Sequence, residues 1–203
     1  MFKMNVNLTK DKILKALVIF AVPIFISNIF QQLYNTADTM IVGNVLGDTS
    51  LAAIGASGAV YELLIGFALG VGNGLSIVIA RNYGAKEEEV LKRSVAGSII
   101  IGILLTIVIM IIGQIGLYPL LQLLDTPSDI IAESYSYISM ITIFVGVMFA
   151  YNLCAGLLRA IGNSIMPLVF LIISSIINIV LDIIFIKDFG MGIQGAAVAT
   201  VIS

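Results

Sequence analysis

Three acidic residues, Asp38, Glu62 and Asp182, fall inside long apolar stretches of the sequence. A carboxylate near the centre of a membrane helix costs about 2.5–3.5 kcal/mol on insertion scales, so such residues usually mark an ion pathway or face a bundle interior. Two carboxylates with an amide and a hydroxyl at similar depth could bind a small hard cation through oxygen ligands. Because two close carboxylates do not readily ionise together, the same pair could instead share a proton.

The first of these acids ends a row of polar side chains. Asn28, Gln31, Asn35 and Asp38 are spaced by three, four and three residues, which places them on one face of a helix. Asn and Gln often hydrogen-bond between membrane helices, which is one interpretation. We favour a cavity wall, because the acid adds a cost that helix association does not require. Pro23 precedes the row and is predicted to kink this helix and free a carbonyl, since proline has no N–H.

A second acid lies on a later stretch, where Asn178 and Asp182 share one helix face. Asp38 and Asp182 each fall about four residues before the outer end of their predicted span, which places both about 6 Å below it. The alternative is that both acids reach the outer interface, although the short Asp stem makes such snorkelling less effective. The sequence predicts that four residues form a cation-coupling set: Asp38, Asn178, Asp182 and Thr200. If the cation is Na⁺, the first three of them would bind it.

Glu62 lies in a row of glycines spaced by four residues, Gly58, Gly66, Gly70 and Gly74. Such a row is typical of a close-packing helix face. We therefore expect Glu62 to point into the bundle. A polar packing partner and a second ion-linked site are both open interpretations of this residue.

A further helical stretch carries aromatic and methionine side chains at helical spacing: Tyr137, Met140, Phe144, Met148 and Tyr151. Core packing is the default interpretation of this row. Soft Met and aromatic side chains also suit a cavity that accepts varied apolar ligands. The predicted cavity lining therefore combines four of these residues with polar residues from the earlier spans: Gln31, Asn35, Glu62, Tyr137, Met140, Phe144 and Met148.

The composition requires a membrane to surround these residues. Of the 203 residues, 60% are apolar and only 11% are charged, against roughly 25% charged in a soluble domain. The mean hydropathy is +1.12. These values exclude a soluble enzyme, a nucleic-acid-binding domain and a disordered tail. There is no His and one Cys, Cys154, so the chain alone forms neither a disulfide nor a structural zinc site, and no Ser/His or paired-Asp motif indicates an intramembrane enzyme.

The elements that must position the acids are six apolar stretches. A spanning helix needs about 20 such residues, whereas a barrel strand alternates over about ten. The predicted fold is an all-α six-helix transmembrane bundle with spans at about 13–42, 51–80, 94–117, 133–158, 165–186 and 193–203. The last stretch would form about 16 Å of helix, too short for a ~30 Å hydrocarbon core. We expect a longer protein or, alternatively, a half-size protein that pairs with itself.

The basic residues predict the orientation. Nine of the ten lie on one side of the predicted spans, which places the N-terminus in the cytoplasm. The loops at 43–50, 118–132 and 187–192 then face outward, and the apolar 118–132 segment is predicted to form a short helix in the outer interface. The nine are Lys3, Lys10, Lys12, Lys15, Arg81, Lys86, Lys92, Arg93 and Arg159, and the exception is Lys187.

Six segments follow one another along the chain in a recognisable order: Gln31–Asp38 after Pro23, Leu51–Ser57, Tyr83–Lys86, Thr126–Pro127, Leu158–Ser164 and Gly192–Ala197. In this order they resemble the multidrug and toxic compound extrusion (MATE) family. The resemblance implies twelve helices in two six-helix lobes, of which this chain supplies the first. In the branch that uses this lobe for coupling, the matching positions are Asp38, Asn178, Asp182 and Thr200; no role is implied for Glu62.

The resemblance implies a Na⁺- or H⁺-coupled antiporter in the cytoplasmic membrane that exports amphipathic, often cationic, drugs. It needs no cofactor beyond the coupling ion; its partners are the bilayer, the substrate and the absent C-terminal lobe, and not nucleic acid. One alternative is a lipid-linked precursor flippase, which would be expected to have a cationic cavity, yet no Lys or Arg lies in mid-span. Another is a non-transporting membrane scaffold, in which the buried acids would be dispensable.

Overall fold

The computed structural model describes residues 13–203, so Lys3, Lys10 and Lys12 of the orientation prediction lie outside the described residues. Within that range every regular element is helical. The elements are α1 (Ile13–Leu46), α2 (Asp48–Ala85), α3 (Glu88–Leu123), α4 (Ile131–Ile143), α5 (Val145–Ala160), α6 (Ile165–Asp182), a π-helix (Ile183–Asp188) that continues α6, and α7 (Ile193–Ile202).

Four of the described helices are long and apolar enough to cross a membrane: α1, α2, α3 and α6 with its π-helical continuation. Helices α4 and α5 together would make a fifth span. Helix α7 has ten residues, which corresponds to about 15 Å. The chain therefore folds as a multi-pass helical bundle, as its composition predicts.

Helix α2 lies at the centre of the bundle and packs against α3, α4 and α5. Helix α1 packs against α6 and α2, and α7 packs against α4 and α6. The main hydrophobic core lies where α1, α2, α3, α4 and α7 meet. Its fully buried members include Val42, Ala53, Leu121, Ile138 and Ala196. This core joins residues of α1, α4 and α7 near the predicted coupling residues.

The structure divides the predicted fourth span over 133–158 into two helices, α4 and α5. The chain bends by 50° between α4 and α5, at Phe144. Two local features explain the bend. The Thr142 hydroxyl donates to the carbonyl oxygen of Ile138 at 2.7 Å, a bond that tends to bend helices. Gly146 also lies close to α3, where a Cβ atom would come within 2.8 Å of the Thr106 methyl group.

The prediction of a separate interfacial helix within 118–132 is also wrong. Helix α3 continues through Pro119 to Leu123. Pro119 removes one backbone hydrogen bond. However, Leu117 and Leu121 on either side of it are buried in the main core, and this tertiary packing outweighs the local helix preference of proline.

The orientation leads to a labelling prediction. Glu87 and Asp129 are both exposed, in the connections that follow α2 and α3. Neither has the left-handed backbone found at Lys86 and Asp125. In a Cys154→Ala background, Asp129→Cys should react with a membrane-impermeant maleimide in intact cells and Glu87→Cys should react only after permeabilisation, because positive loops stay in the cytoplasm. The reverse labelling pattern would overturn the orientation.

Candidate functional site

Two buried carboxyl groups meet inside the bundle. Asp38 on α1 is 8% exposed and Asp182 at the end of α6 is fully buried. Their carboxyl groups lie within hydrogen-bonding reach of each other. Ionised carboxylates only accept hydrogen bonds, so a direct hydrogen bond between them would need a proton on one of the two groups. The pair brings together two acids that lie 144 positions apart in the sequence.

Asn178 connects this pair to α7. Its side chain is fully buried one turn before Asp182. In the amide orientation that satisfies both ends, its nitrogen donates to Asp182 Oδ2 at 2.9 Å and its oxygen accepts from the Thr200 backbone N–H at 3.2 Å. The Thr200 hydroxyl donates to the Ala196 carbonyl oxygen at 3.0 Å. Asp38, Asn178, Asp182 and Thr200, the predicted coupling set, are thus placed together.

The two acids have no basic partner among residues 13–203. The ion pairs of that range join Lys92 to Glu88 and Glu89, far along the chain. Asp38 Oδ1 and Asp182 Oδ1 are both buried without a hydrogen-bond partner in the described structure. A buried carboxylate is costly unless it is paired or neutralised. The pair is therefore suited to take up a proton or a small cation.

A cavity of about 140 Å³ opens beside Asp38. Water occupies about 30 Å³ per molecule in the liquid, so the cavity accommodates a few waters or a small ion. Pockets for drug-sized ligands measure about 300–1,000 Å³, so this cavity is too small to enclose such a ligand. Residues of α1, α2, α4 and α7 line it: Tyr34, Asn35, Asp38, Thr39, Ile54, Gly58, Tyr61, Tyr137 and Thr200.

The predicted cavity lining is only partly found in this cavity. Asn35 and Tyr137 line it. Met140 and Met148 instead pack against the main hydrophobic core. The other three lie outside the lining: Phe144 at the α4–α5 bend is 42% exposed, and Gln31 and Glu62 are exposed on the surface of the lobe.

Glu62 and its row of glycines do not form a packing face within residues 13–203. Glu62 is exposed rather than directed into the bundle. A Cβ atom placed on Gly66, Gly70 or Gly74 would have no described atom within 4 Å. The spacing of small residues predicts that a helix can be approached closely, but it does not specify which element approaches it.

Three lining tyrosines contribute hydroxyl groups, and sequence reasoning identified only Tyr137. Tyr34 lies one turn before Asp38 on the same helix face and lines the cavity together with Thr200. Tyr61 comes from α2, three residues after Gly58. The spacing from Asp38 was a signal for Tyr34. No local signal identified Tyr61, because an aromatic residue in an apolar stretch resembles a core residue.

Pro23 lies within α1, which the structure describes as one helix from Ile13 to Leu46. Pro23 is buried, and the Ser27 hydroxyl donates to its carbonyl oxygen at 2.8 Å. Proline leaves the carbonyl four residues before it without its usual partner. The kink at this position stays a prediction.

A multi-pass helical bundle with a buried acid pair at a small polar cavity places the chain among membrane proteins with an intramembrane ionisable site. The MatE family model matches residues 23–184. The chain belongs to this family, which confirms the resemblance predicted from its motifs.

Two curated relatives come from Bacillus subtilis (strain 168). The probable multidrug resistance protein YoeA is 36% identical over 199 residues, covering 96% of this chain and 43% of the relative. The probable multidrug resistance protein YpnP is 31% identical, covering 97% of this chain and 44% of the relative. The chain thus spans less than half the length of these relatives.

Solved structures give the same fold over the whole chain. A crystal structure of MATE in the bent conformation has a TM-score of 0.90 at 31% identity and covers 100% of this chain and 45% of that protein. A MOP superfamily transporter from Pyrococcus furiosus Vc1 (DSM3638) has a TM-score of 0.90 at 30% identity and covers 100% of this chain and 44% of that protein. Its binding pocket is described as having reverse polarity, which is taken to suggest a different function.

Proposed function

We propose that this chain is the first lobe of a cation-coupled antiporter that exports drugs and other xenobiotics across the cytoplasmic membrane. The observation that carries the proposal is the buried Asp38–Asp182 contact, which has no basic partner among the described residues. Curated relatives described as probable multidrug resistance proteins support the direction and the cargo. Since the chain covers under half of each relative, the activity is proposed for the complete protein.

The coupling ion, Na⁺ or H⁺, would act on the acid pair. A proton would remain shared between the two carboxyl groups. A Na⁺ ion would take the place of the proton. Its oxygen ligands would come from Asp38, Asp182 and the Asn178 amide, with the Thr200 hydroxyl near them. Either ion neutralises the pair, and loss of the ion leaves two buried negative charges that repel each other.

The link between ion and drug would be a change in α1. Asp38 lies on α1, whereas Asn178 and Asp182 lie on α6 and Thr200 lies on α7. Neutralising the pair would hold Asp38 of α1 against Asp182 of α6, and α1 would bend near Pro23, where one backbone hydrogen bond is missing. A cavity wall that moves in this way would release the drug outward, as alternating access requires.

The structure gives less support to a lipid-linked precursor flippase than to a cation-coupled antiporter. A site for pyrophosphate would need cationic side chains, as phosphate recognition by Arg and Lys requires. The cavity lining contains one acid and no Lys or Arg.

A gradient experiment tests the proposal. The complete protein, purified and placed in liposomes, should expel preloaded ethidium when an inward Na⁺ or H⁺ gradient is imposed, because the ion and the dye exchange. Dissipating that gradient with monensin for Na⁺ or a protonophore for H⁺ should stop the efflux, and the effective reagent identifies the ion. Efflux that is indifferent to both gradients would refute coupling, and no efflux at all would favour the scaffold interpretation.

A further inference from the structure

The exposed faces of the lobe differ in chemistry. Between Ala96 and Ile115 of α3 every exposed residue is apolar, and the same holds for the exposed residues of α6. These faces suit contact with lipid. The exposed face of α1 and α2 instead carries amide and carboxylate side chains within the span: Asn28, Gln31, Glu62 and Asn73. A carboxylate and three amides are costly against hydrocarbon, so this face belongs to a water-filled cleft or to protein.

Glu62 is exposed one helical turn beyond Gly58, a residue that lines the cavity beside Asp38. Asn35 of α1 and Gly58 of α2 both line that cavity. Helices α1 and α2 pack against each other and run in opposite directions on either side of Gly47. Gln31 lies one helical turn farther from Gly47 than Asn35 does, and Glu62 lies one helical turn farther from Gly47 than Gly58 does. Gln31 and Glu62 are therefore at matching depth, next to the cavity and on the exposed side of it.

The charge on this face is negative. No Lys or Arg occurs between Lys15 and Arg81, so neither α1 nor α2 has a basic residue within its membrane-spanning part. Glu62 takes part in no ion pair among the described residues. A cation that approaches the cavity meets first the exposed carboxylate of Glu62 and then the buried carboxyl group of Asp38.

We propose that Glu62 is a specificity-determining residue that selects positively charged substrates beside this cavity. The inference rests on the proposed export function and adds to it a residue that acts on the charge of the substrate. The cavity is too small for a drug-sized molecule, so the bulk of the substrate lies in the cleft beside α1 and α2. There the glycines at positions 66, 70 and 74 leave room for it, and Glu62 is close enough to interact with its charge.

Two probes of one shape and opposite charge test this inference: the tetraphenylphosphonium cation and the tetraphenylborate anion. Their dissociation constants should be measured by equilibrium dialysis with the complete purified protein. Glu62→Gln should weaken binding of the cation about tenfold, the loss expected for one unit charge acting across several ångströms in a partly hydrated site. The same change should leave anion binding equal or stronger. High salt should shrink the difference between wild type and Glu62→Gln.

Two control variants separate charge from packing. Glu62→Asp keeps the charge, so the dissociation constant of the cation should stay within about threefold of the wild-type value. A change of that size is typical of a surface ion pair whose geometry alone is altered. Asp48→Asn removes a negative charge from the first turn of the same helix, where Asp48 is exposed, and should leave binding unchanged. Thermal unfolding of each variant establishes that it is folded.

Each other outcome contradicts a particular claim. If Glu62→Gln binds the cation as tightly as the wild type does, the proposed role of Glu62 is wrong, and the proposed export function is unaffected. Equal loss in Glu62→Gln and Glu62→Asp would show a packing role and overturn selection by charge. A folded wild-type protein that binds neither probe would overturn the proposed function together with this inference.

Discussion

Asp38→Asn and Asp182→Asn should each reduce ion-driven export of ethidium to the background rate of cells that lack the protein. Asparagine keeps the size of the side chain but can neither ionise nor exchange a proton. Either substitution therefore removes the property on which coupling depends, since the two carboxyl groups are in contact. The measurement is dye efflux from energised cells that express the complete protein, after surface expression has been matched.

The double variant distinguishes a coupled pair from two independent acids. Residues that act as one unit are non-additive, so Asp38→Asn/Asp182→Asn should be no worse than either single variant. Asn35→Ala is a control in the same cavity. It removes a neutral amide worth about 1 kcal/mol, or roughly fivefold in rate. Export at the wild-type rate by both single variants would show that the acids are structural.

Gly102→Val should disrupt the packing of α3 against α5 and lower the free energy of unfolding. Gly102 is buried, and a Cβ atom there would overlap Cε1 of the Phe149 ring and lie 3.0 Å from its Cζ. The Phe149 ring is itself buried in a second core cluster with Ala68 and Leu153, so it has little room to move. Overpacking of this kind costs about 1–3 kcal/mol or more. Thermal unfolding of the purified protein in detergent should show a markedly lower midpoint.

The matched control is Gly97→Val on the same helix. No described atom lies within 4 Å of a Cβ atom built on Gly97, so this variant should unfold close to the wild-type temperature. Adding Phe149→Ala to Gly102→Val should recover part of the loss, because it removes the atoms that clash. Equal midpoints for Gly102→Val and Gly97→Val would mean that α3 and α5 do not approach each other in this way.

The buried acids proposed for coupling could be found in the sequence because their cost makes them conspicuous. An acid in an apolar stretch is rare, and helical spacing alone assigned Asn178 to the face of Asp182. The equal depth of Asp38 and Asp182 followed from the span limits. Their contact depends on how α1 and α6 pack against each other, which the structure shows and the sequence does not.

The remaining features depend on which helices meet. The spacing of Tyr137, Met140 and Met148 predicted a common wall, but the bend at Phe144 redistributes them between cavity and core. Tyr61 lines the cavity only because α2 packs beside α1. Gly102 is one of the closely packed glycines and lies outside the row of glycines spaced by four, since the bulk of its partner Phe149 decides where a Cβ atom is excluded.

Pro119 shows the same limit in the opposite direction. The sequence interpretation ended the third span at Leu117 and placed the segment 118–132 outside it, in a short interfacial helix. Helix α3 nevertheless continues to Leu123. Burial of the leucines on either side of the proline supplies more stabilisation than the lost hydrogen bond removes.

The central claim is that Asp38 and Asp182 couple the ion to the substrate. The most direct measurement compares wild type and Asp38→Asn in liposomes, with ethidium efflux recorded at zero and at imposed Na⁺ or H⁺ gradient. Wild-type efflux should rise with the gradient of the coupling ion. Efflux by folded Asp38→Asn should be the same with and without it, because the variant has lost the ion-binding group. A gradient-dependent rise in Asp38→Asn equal to that of the wild type would contradict the account.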